Sequence, residues 1–251
     1  MKSLLFCTSY IRDAQDWTDR YARWVDHYQR HDMGASQLFL IDDASPGLSA
    51  PGLPPCLDAE HGLAQATHRT QVLRFASRLG RASRFSYFGW WRSFTHAVKV
   101  ARARGAAKLI HVESDAFVLS PRLRSYIGSL DSGWTVLWCD FHAMPETAIQ
   151  VICEDQFDAL ARFGDGRWQA HDGKPAELVL PFTQVVKDFK GDRYSEMKRR
   201  RGMLRSRKFD GLFMRHWDMF WQPIPADADF VTQVEHPQWR YSRTLRAALA
   251  G

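Results

Sequence analysis

The chain has 251 residues, 45% of them apolar and 25% charged, an ordinary soluble composition that can bury a substantial core as one unit. No apolar run approaches the roughly 18–20 residues of a membrane span. The opening Met1-Lys2-Ser3-Leu4-Leu5-Phe6-Cys7, soon followed by Arg12 and Asp13, has the form of a first strand rather than a secretory signal, so the cytoplasm is the expected location. The net charge of +6 is uneven: Lys190 to Arg215 holds ten Lys/Arg against three Asp/Glu, and the rest of the chain is close to neutral.

Ser3 to Ser9 reads as the first strand. From Asp13 to His31 the rings and aliphatics Trp17, Tyr21, Trp24, Val25 and Tyr28 recur at spacings of three and four, the face of an amphipathic helix, with Gly34 as its stop. Gln37 to Ile41 is a second strand running into Asp42-Asp43-Ala44-Ser45-Pro46-Gly47. Strand, helix and strand at this spacing make a βαβ unit, hence a parallel sheet with a right-handed crossover. Pro46 to Pro55 is a loop, and Gln71 to Phe75 fits a third strand. A segment rich in Arg, Gly and aromatics, Gly80 to Trp91, leads into a helix over Arg92 to Arg104, with Phe94, Ala97, Val98 and Ala101 on one face.

The organising stretch follows. Lys108 to Val112 is a buried strand ending in Glu113-Ser114-Asp115, after which a second apolar run, Ala116 to Leu119, begins. Two carboxylates one residue apart at the end of a central strand are poor core material, because a buried carboxylate needs a partner. They suit a hard divalent cation, which takes oxygen ligands and keeps water or phosphate oxygens in its other positions. A helix over Pro121 to Leu130, strands over Trp134 to Cys139 and Ala148 to Cys153, and a helix from Asp155 to Phe163 complete the regular pattern. Residues 1–163 therefore read as an α/β part, and residues 164–251 as an irregular, basic part of the same domain. The four cysteines show no Cys-x-x-Cys spacing and are expected to be buried free thiols.

In an open parallel sheet the ligand crevice lies beyond the C-terminal strand ends. Three such ends carry polar groups here: Thr8-Ser9, Asp42-Asp43 and Glu113-Ser114-Asp115. With a short first strand, a second strand ending in Asp-Asp-x-Ser and an Asp-x-Asp-like triplet, the sequence resembles nucleotide-sugar glycosyltransferases of the GT-A fold, a Rossmann-like, mostly parallel sheet flanked by helices. The resemblance spans about residues 3–160 and implies a nucleotide-sugar-binding part over residues 1–163 and an acceptor-side part over 164–251, with base or ribose contacts at Asp42 and Asp43, beside Thr8, Ser9 and Ser114. It implies Mn²⁺ or Mg²⁺ and ribose contacts at Glu113 and Asp115, and a nucleotide contact at Arg92. Glutamate at the first triplet position departs from the family pattern and shifts cation coordination toward Asp115. The resemblance also implies an acidic general base on the acceptor side, for which Glu177 and Asp155 are the candidates, and a late histidine ligand, His216.

The implied activity is transfer of a sugar from a nucleotide-diphosphate donor to a glycan or lipid-linked acceptor. The segment from Lys190 to Arg215 offers a contact to a diphosphate or to the anionic inner face of a membrane. A nucleotidyltransferase would also use paired carboxylates, but Cys7-Thr8-Ser9-Tyr10-Ile11-Arg12 contains none of the glycines of a phosphate loop. A nucleic-acid-binding protein would explain the basic segment but not the acidic strand ends, so nucleic acid is not an expected partner.

Overall fold

The computed structural model describes residues 1–83, 86–140, 142–164, 166–194, 223–234 and 242–250. Strands β1 (Ser3–Ser9), β2 (Gln37–Asp42), β3 (Cys56–Asp58), β4 (Thr70–Arg74), β5 (Lys108–Val112), β7 (Trp134–Cys139), β8 (Met144–Cys153) and β9 (Gln184–Val186) form an eight-stranded sheet. Its order is β3-β4-β2-β1-β5-β8-β7-β9, and β8 alone runs antiparallel to its neighbours. A second sheet pairs β6 (Phe117–Val118) with β11 (Phe230–Val231) and β11 with β10 (Gly191–Asp192). This is the mixed α/β, mostly parallel architecture expected from the sequence.

Alternation along the strands sets the layers, because successive side chains point to opposite faces. Leu5, Cys7, Leu38, Leu40 and Ile110 share one cluster with Trp24, Val25 and Tyr28 of helix α2 (Ala22–Arg30). Leu4, Phe6, Phe39, Ile41 and Leu109 share the other with Phe94, Ala97, Val98 and Ala101 of helix α3 (Phe88–Arg104). Both faces of the central strands are covered, which is why they read as unbroken apolar runs. The predicted first helix is three pieces: α1 (Ala14–Asp16), capped by the Asp13 carboxylate on Asp16 N at 2.8 Å, a π-helical turn over Trp17–Tyr21, and α2. It ends at Arg30, and Gly34 at φ +70° serves the following turn.

Several boundaries move. Helix α3 begins four residues earlier than the sequence reading, β8 begins at Met144 rather than Ala148, and the edge strand β3 follows the proline-rich loop unforeseen. Cys7, Cys139 and Cys153 are buried free thiols as expected, whereas Cys56, on that edge strand, is exposed. Helix α4 is Pro121–Ser129, and the Asp155 to Phe163 helix is a 3₁₀ turn, Glu154–Gln156, followed by α5 (Phe157–Ala161). Helices α6 (Ala176–Val179) and α7 (Arg243–Ala250) complete the set among the described residues, and no described helix is long and apolar enough to cross a membrane.

Two core histidines give the fold an acid weakness. His27, 3% exposed with Nε2 at 3.0 Å from Val118 O, and His96, 6% exposed with Nε2 at 2.8 Å from Ala59 O, are each pushed down to about 4 by burial. The unfolded chain binds these protons near pH 6.5 and the folded chain does not, so stability is whole above that pH and is lost as pH falls toward 4. The buried carboxyls of Asp42 and Asp115 are raised and act with the opposite sign. A single-site comparison isolates the histidine contribution. In His27→Gln, the loss of unfolding free energy between pH 7.5 and pH 5 should shrink by about 2 kcal/mol in urea melts, and an unchanged loss would contradict the account.

Candidate active site

The C-terminal ends of β1, β2 and β5 open into a cleft of about 490 Å³ whose walls include Thr8, Ser9, Tyr10, Arg20, Asp43, Trp90, Glu113, Asp115, Thr147, Glu177, Arg193 and Gln233. The parallel register makes this convergence. Ser9 lies opposite Asp42 and Phe6 opposite His111, so the residues that follow each strand emerge side by side. The acids of the second and fifth strands therefore share one rim.

The adjacent Asp42 and Asp43 have different jobs. Asp42 is fully buried and accepts from Ser9 Oγ at 3.0 Å, from Ser45 N at 2.7 Å and from Ser45 Oγ, with Ala44 held at φ +58° in the turn between. Burial raises its carboxyl against those hydrogen bonds, and it does not line the cleft. Asp43 does line it, and it accepts from Leu79 N at 3.2 Å, Gly80 N at 2.7 Å and the Arg92 guanidinium. The start of α3 comes down directly on this carboxylate: a Cβ on Gly89 would lie 2.1 Å from Asp43 Oδ2. Gly89→Ala must therefore displace the Asp43 carboxylate from its hydrogen bonds with Leu79 N, Gly80 N and Arg92, or lift the helix off it, at about 1–3 kcal/mol. A fall in melting temperature of about 5 °C is expected in a thermal melt, and wild-type melting would refute this close approach.

Glu113 is braced from three sides. Thr8 Oγ1 donates to Oε2 at 3.1 Å, Trp90 Nε1 donates to Oε1, and His111 Nε2 stands 3.2 Å from Oε1. Burial pushes this carboxyl up, but His111, Trp90 and Arg20 outweigh it and hold the group below its ordinary value. Ser114 is buried and accepts from Arg20 Nε at 2.5 Å, while a terminal nitrogen of Arg20 donates to Asp115 Oδ2 at 3.2 Å. Arg20 reaches the triplet from the π-helical turn, a feature often found at functional sites because it re-aims side chains within a helix. Asp115 Oδ1 is buried without a hydrogen-bond partner, and burial raises the carboxyl, with Glu113 and Glu146 adding to the effect and Arg20 opposing it.

The far wall comes from an irregularity in β8. Pairing with β7 jumps from Val136↔Gln150 to Leu137↔Glu146, leaving Thr147 to Ile149 as a bulge, and Thr147 and Ala148 face the cleft there. Bulges beside active sites commonly redirect side chains in this way. Glu177, in the first turn of α6, accepts from Thr147 Oγ1 at 3.1 Å and lies 3.7 Å from an Arg193 nitrogen.

Of the residues singled out from sequence, Thr8, Ser9, Asp43, Glu113, Asp115 and Glu177 line the cleft, and Ser114 does not, its hydroxyl being engaged by Arg20. Arg92 does not line it; its guanidinium ties Asp43 to Ser77 O at 2.6 Å, and the cations of that region that reach the cleft are Arg78 and Arg81. Arg78 covers the Tyr10 ring at 3.9 Å. Asp155 is at the opposite end of the strands from the cleft. Because β8 is antiparallel, its C-terminal Cys153 pairs with Lys108 at the start of β5, and Asp155 accepts from Gly133 N at 2.9 Å. His216 and most of the Lys190 to Arg215 segment lie outside the described residues. Sequence reasoning missed Arg20, Trp90 and Glu146.

A divalent cation finds a partial seat here. Among the described residues no three His, Cys, Asp or Glu side chains are grouped to hold a metal unaided. The Glu113 oxygens already accept from Thr8 and Trp90, which leaves the unpartnered Asp115 Oδ1 as the fitting donor. One carboxylate is enough for a cation whose remaining positions are filled by substrate phosphates and water.

No protein-family model matches the sequence, and no curated protein matches it. Among solved structures the chain is similar to a glycosyltransferase involved in the glycosylation of the major capsid of PBCV-1, with a TM-score of 0.41 and 8% identity over 94% of this chain and 96% of that one. It is also similar to HddC from Yersinia pseudotuberculosis, with a TM-score of 0.39 and 10% identity over 74% of this chain and 89% of that one. These are distant likenesses, and neither assigns a substrate.

Proposed function

We propose that the cleft binds a nucleotide-diphosphate sugar and transfers the sugar to a hydroxyl of a glycan or lipid-linked acceptor. The observation that carries this reading is the meeting of Asp43 from one strand end and Glu113 and Asp115 from another, with Glu177 and the cations Arg20, Arg78 and Arg81 around one cavity. It agrees with the GT-A resemblance of the sequence motifs.

In this reading Asp43, Thr8 and Ser9 face the nucleoside, with Tyr10 and its covering Arg78 forming a flat wall beside it. Arg20 neutralises diphosphate charge from one side, and its fork to Ser114 and Asp115 fixes its position. A Mg²⁺ or Mn²⁺ ion at Asp115, with Glu113 behind it, would supply Lewis-acid stabilisation of the departing diphosphate. Glu177, oriented by Thr147 and Arg193, takes the proton of the acceptor hydroxyl as its oxygen bonds to the anomeric carbon. The bond from that carbon to the diphosphate breaks, and the diphosphate leaves with the electron pair. A single displacement of this kind inverts the anomeric configuration.

A thermal-shift screen of UDP, GDP, CDP, ADP and their sugars, with and without Mn²⁺, tests the reading. At least one nucleotide should raise the melting temperature, and more so with Mn²⁺. Stabilisation by none of them, with tight and salt-sensitive RNA or DNA binding instead, would replace this function with nucleic-acid binding.

A further inference from the structure

Three strand ends outside the main sheet meet on one side of the cleft. β6 begins two residues after Asp115, β10 ends just before Arg193, and β11 ends just before Thr232 and Gln233. Since β10 and β11 run parallel and β6 runs antiparallel to β11, all three ends lie on one edge of the small sheet. Hydrogen bonds from Val234 N to Asp115 O at 2.9 Å and from Thr232 N to Asp192 O at 3.2 Å tie that edge together. Gln233 lines the cleft with φ at +56°, a left-handed conformation uncommon for its residue type and concentrated at functional sites.

Behind this edge lies Glu146, only 1% exposed. It accepts from Arg193 Nε at 2.8 Å, a second Arg193 nitrogen at 3.4 Å, Thr232 Oγ1 at 3.0 Å and Ala148 N at 3.2 Å. Arg193 also stands 3.7 Å from Glu177. Among the described residues this end of the cleft thus sets two carboxylates around one guanidinium. The charge of Arg193 is offset by Glu146, so with Glu177 the three side chains together are net negative. In water-poor surroundings such an imbalance matters, because screening by solvent is weak.

Resting on the functional reading above, which puts the diphosphate at Arg20 and Asp115 and the base at Glu177, the sugar ring lies between the two, beside this edge. We propose that the Glu146–Arg193–Glu177 cluster selects a neutral donor sugar and rejects one bearing a carboxylate, with Glu146 as the positioning residue that aims Arg193 and cancels its charge. A neutral sugar meets no net repulsion here, whereas a sugar carboxylate meets a cluster in which two carboxylates, Glu146 and Glu177, outnumber the one guanidinium.

Isothermal titration calorimetry with UDP-glucose against UDP-glucuronate, and GDP-mannose against GDP-mannuronate, tests this, since each pair differs only in a CH₂OH or COO⁻ at C6. The wild type should bind the neutral member at least about tenfold tighter, the size of one like-charge contact in a partly screened site. Glu146→Gln keeps shape and hydrogen bonding but restores the Arg193 charge, so the ratio should fall to about threefold or invert while UDP or GDP affinity changes little. Glu177→Gln, which keeps the side chain's shape and its hydrogen bond from Thr147 Oγ1, should also narrow the ratio, and it carries the test if Glu146→Gln does not fold. Equal wild-type affinity within each pair, or discrimination unchanged in the folded variants, overturns this inference and leaves the functional reading standing. Binding of neither UDP, GDP nor their sugars overturns both.

Discussion

Asp115→Asn is expected to erase the cation dependence of nucleotide binding. Asp115 has one oxygen held by Arg20 and one buried without a partner, so it is the ligand on which a diphosphate-bound cation can close its coordination. In the presence of Mn²⁺ the variant should bind the preferred nucleoside diphosphate about tenfold or more weakly, and sugar transfer should fall about 10²–10³-fold, the scale of losing one preorganised electrostatic partner of the leaving group. The sign without metal is the sharper diagnostic. A carboxylate beside a diphosphate repels it, so in EDTA the variant should bind as well as the wild type or better. A loss of equal size with and without Mn²⁺ would make Asp115 a structural partner of Arg20 rather than a cation ligand.

Glu177→Gln should separate binding from chemistry. The glutamine has the shape of the glutamate and its oxygen can still accept from Thr147 Oγ1, so the fold should be kept. What is lost is a proton acceptor, and general-base removal typically costs about 10²–10⁴-fold in rate. Nucleoside diphosphate release in the presence of donor and a glycan acceptor should fall by that factor, while affinity for the free nucleoside diphosphate stays within about twofold. An unchanged rate would return Glu177 to the ordinary role of an acid in a first helical turn.

Much of this was legible in the sequence because the central strands are covered on both faces and the helices carry apolar stripes, so their periods are clean. Ser3 to Ser9, Lys108 to Val112 and Trp134 to Cys139 were placed to the residue for that reason. Illegible features fall into three physical kinds. Strand direction leaves no mark on composition: β8 runs antiparallel, so Asp155, which follows its C-terminal end, lies away from the cleft. Local hydrogen bonding decides which of two adjacent acids faces a cleft, and Asp42 turns back to Ser9 and Ser45 while Asp43 does not. Insertions within regular elements move side chains by angles no period predicts, as the π-helical turn does for Arg20 and the β8 bulge does for Thr147. Two-residue strands such as β10 and β11 carry too little pattern to be seen, so the edge that holds Arg193 and Gln233 emerges only in three dimensions.

The central claim is that the acids at the strand ends hold an activated sugar through its diphosphate. The most direct measurement is a calorimetric titration of the wild-type chain with UDP and GDP, each in Mn²⁺ and in EDTA. Saturable binding of one of them with one site per chain, strengthened by Mn²⁺, is the predicted result. No heat of binding for either nucleotide under either condition, from protein shown to be folded, would contradict it.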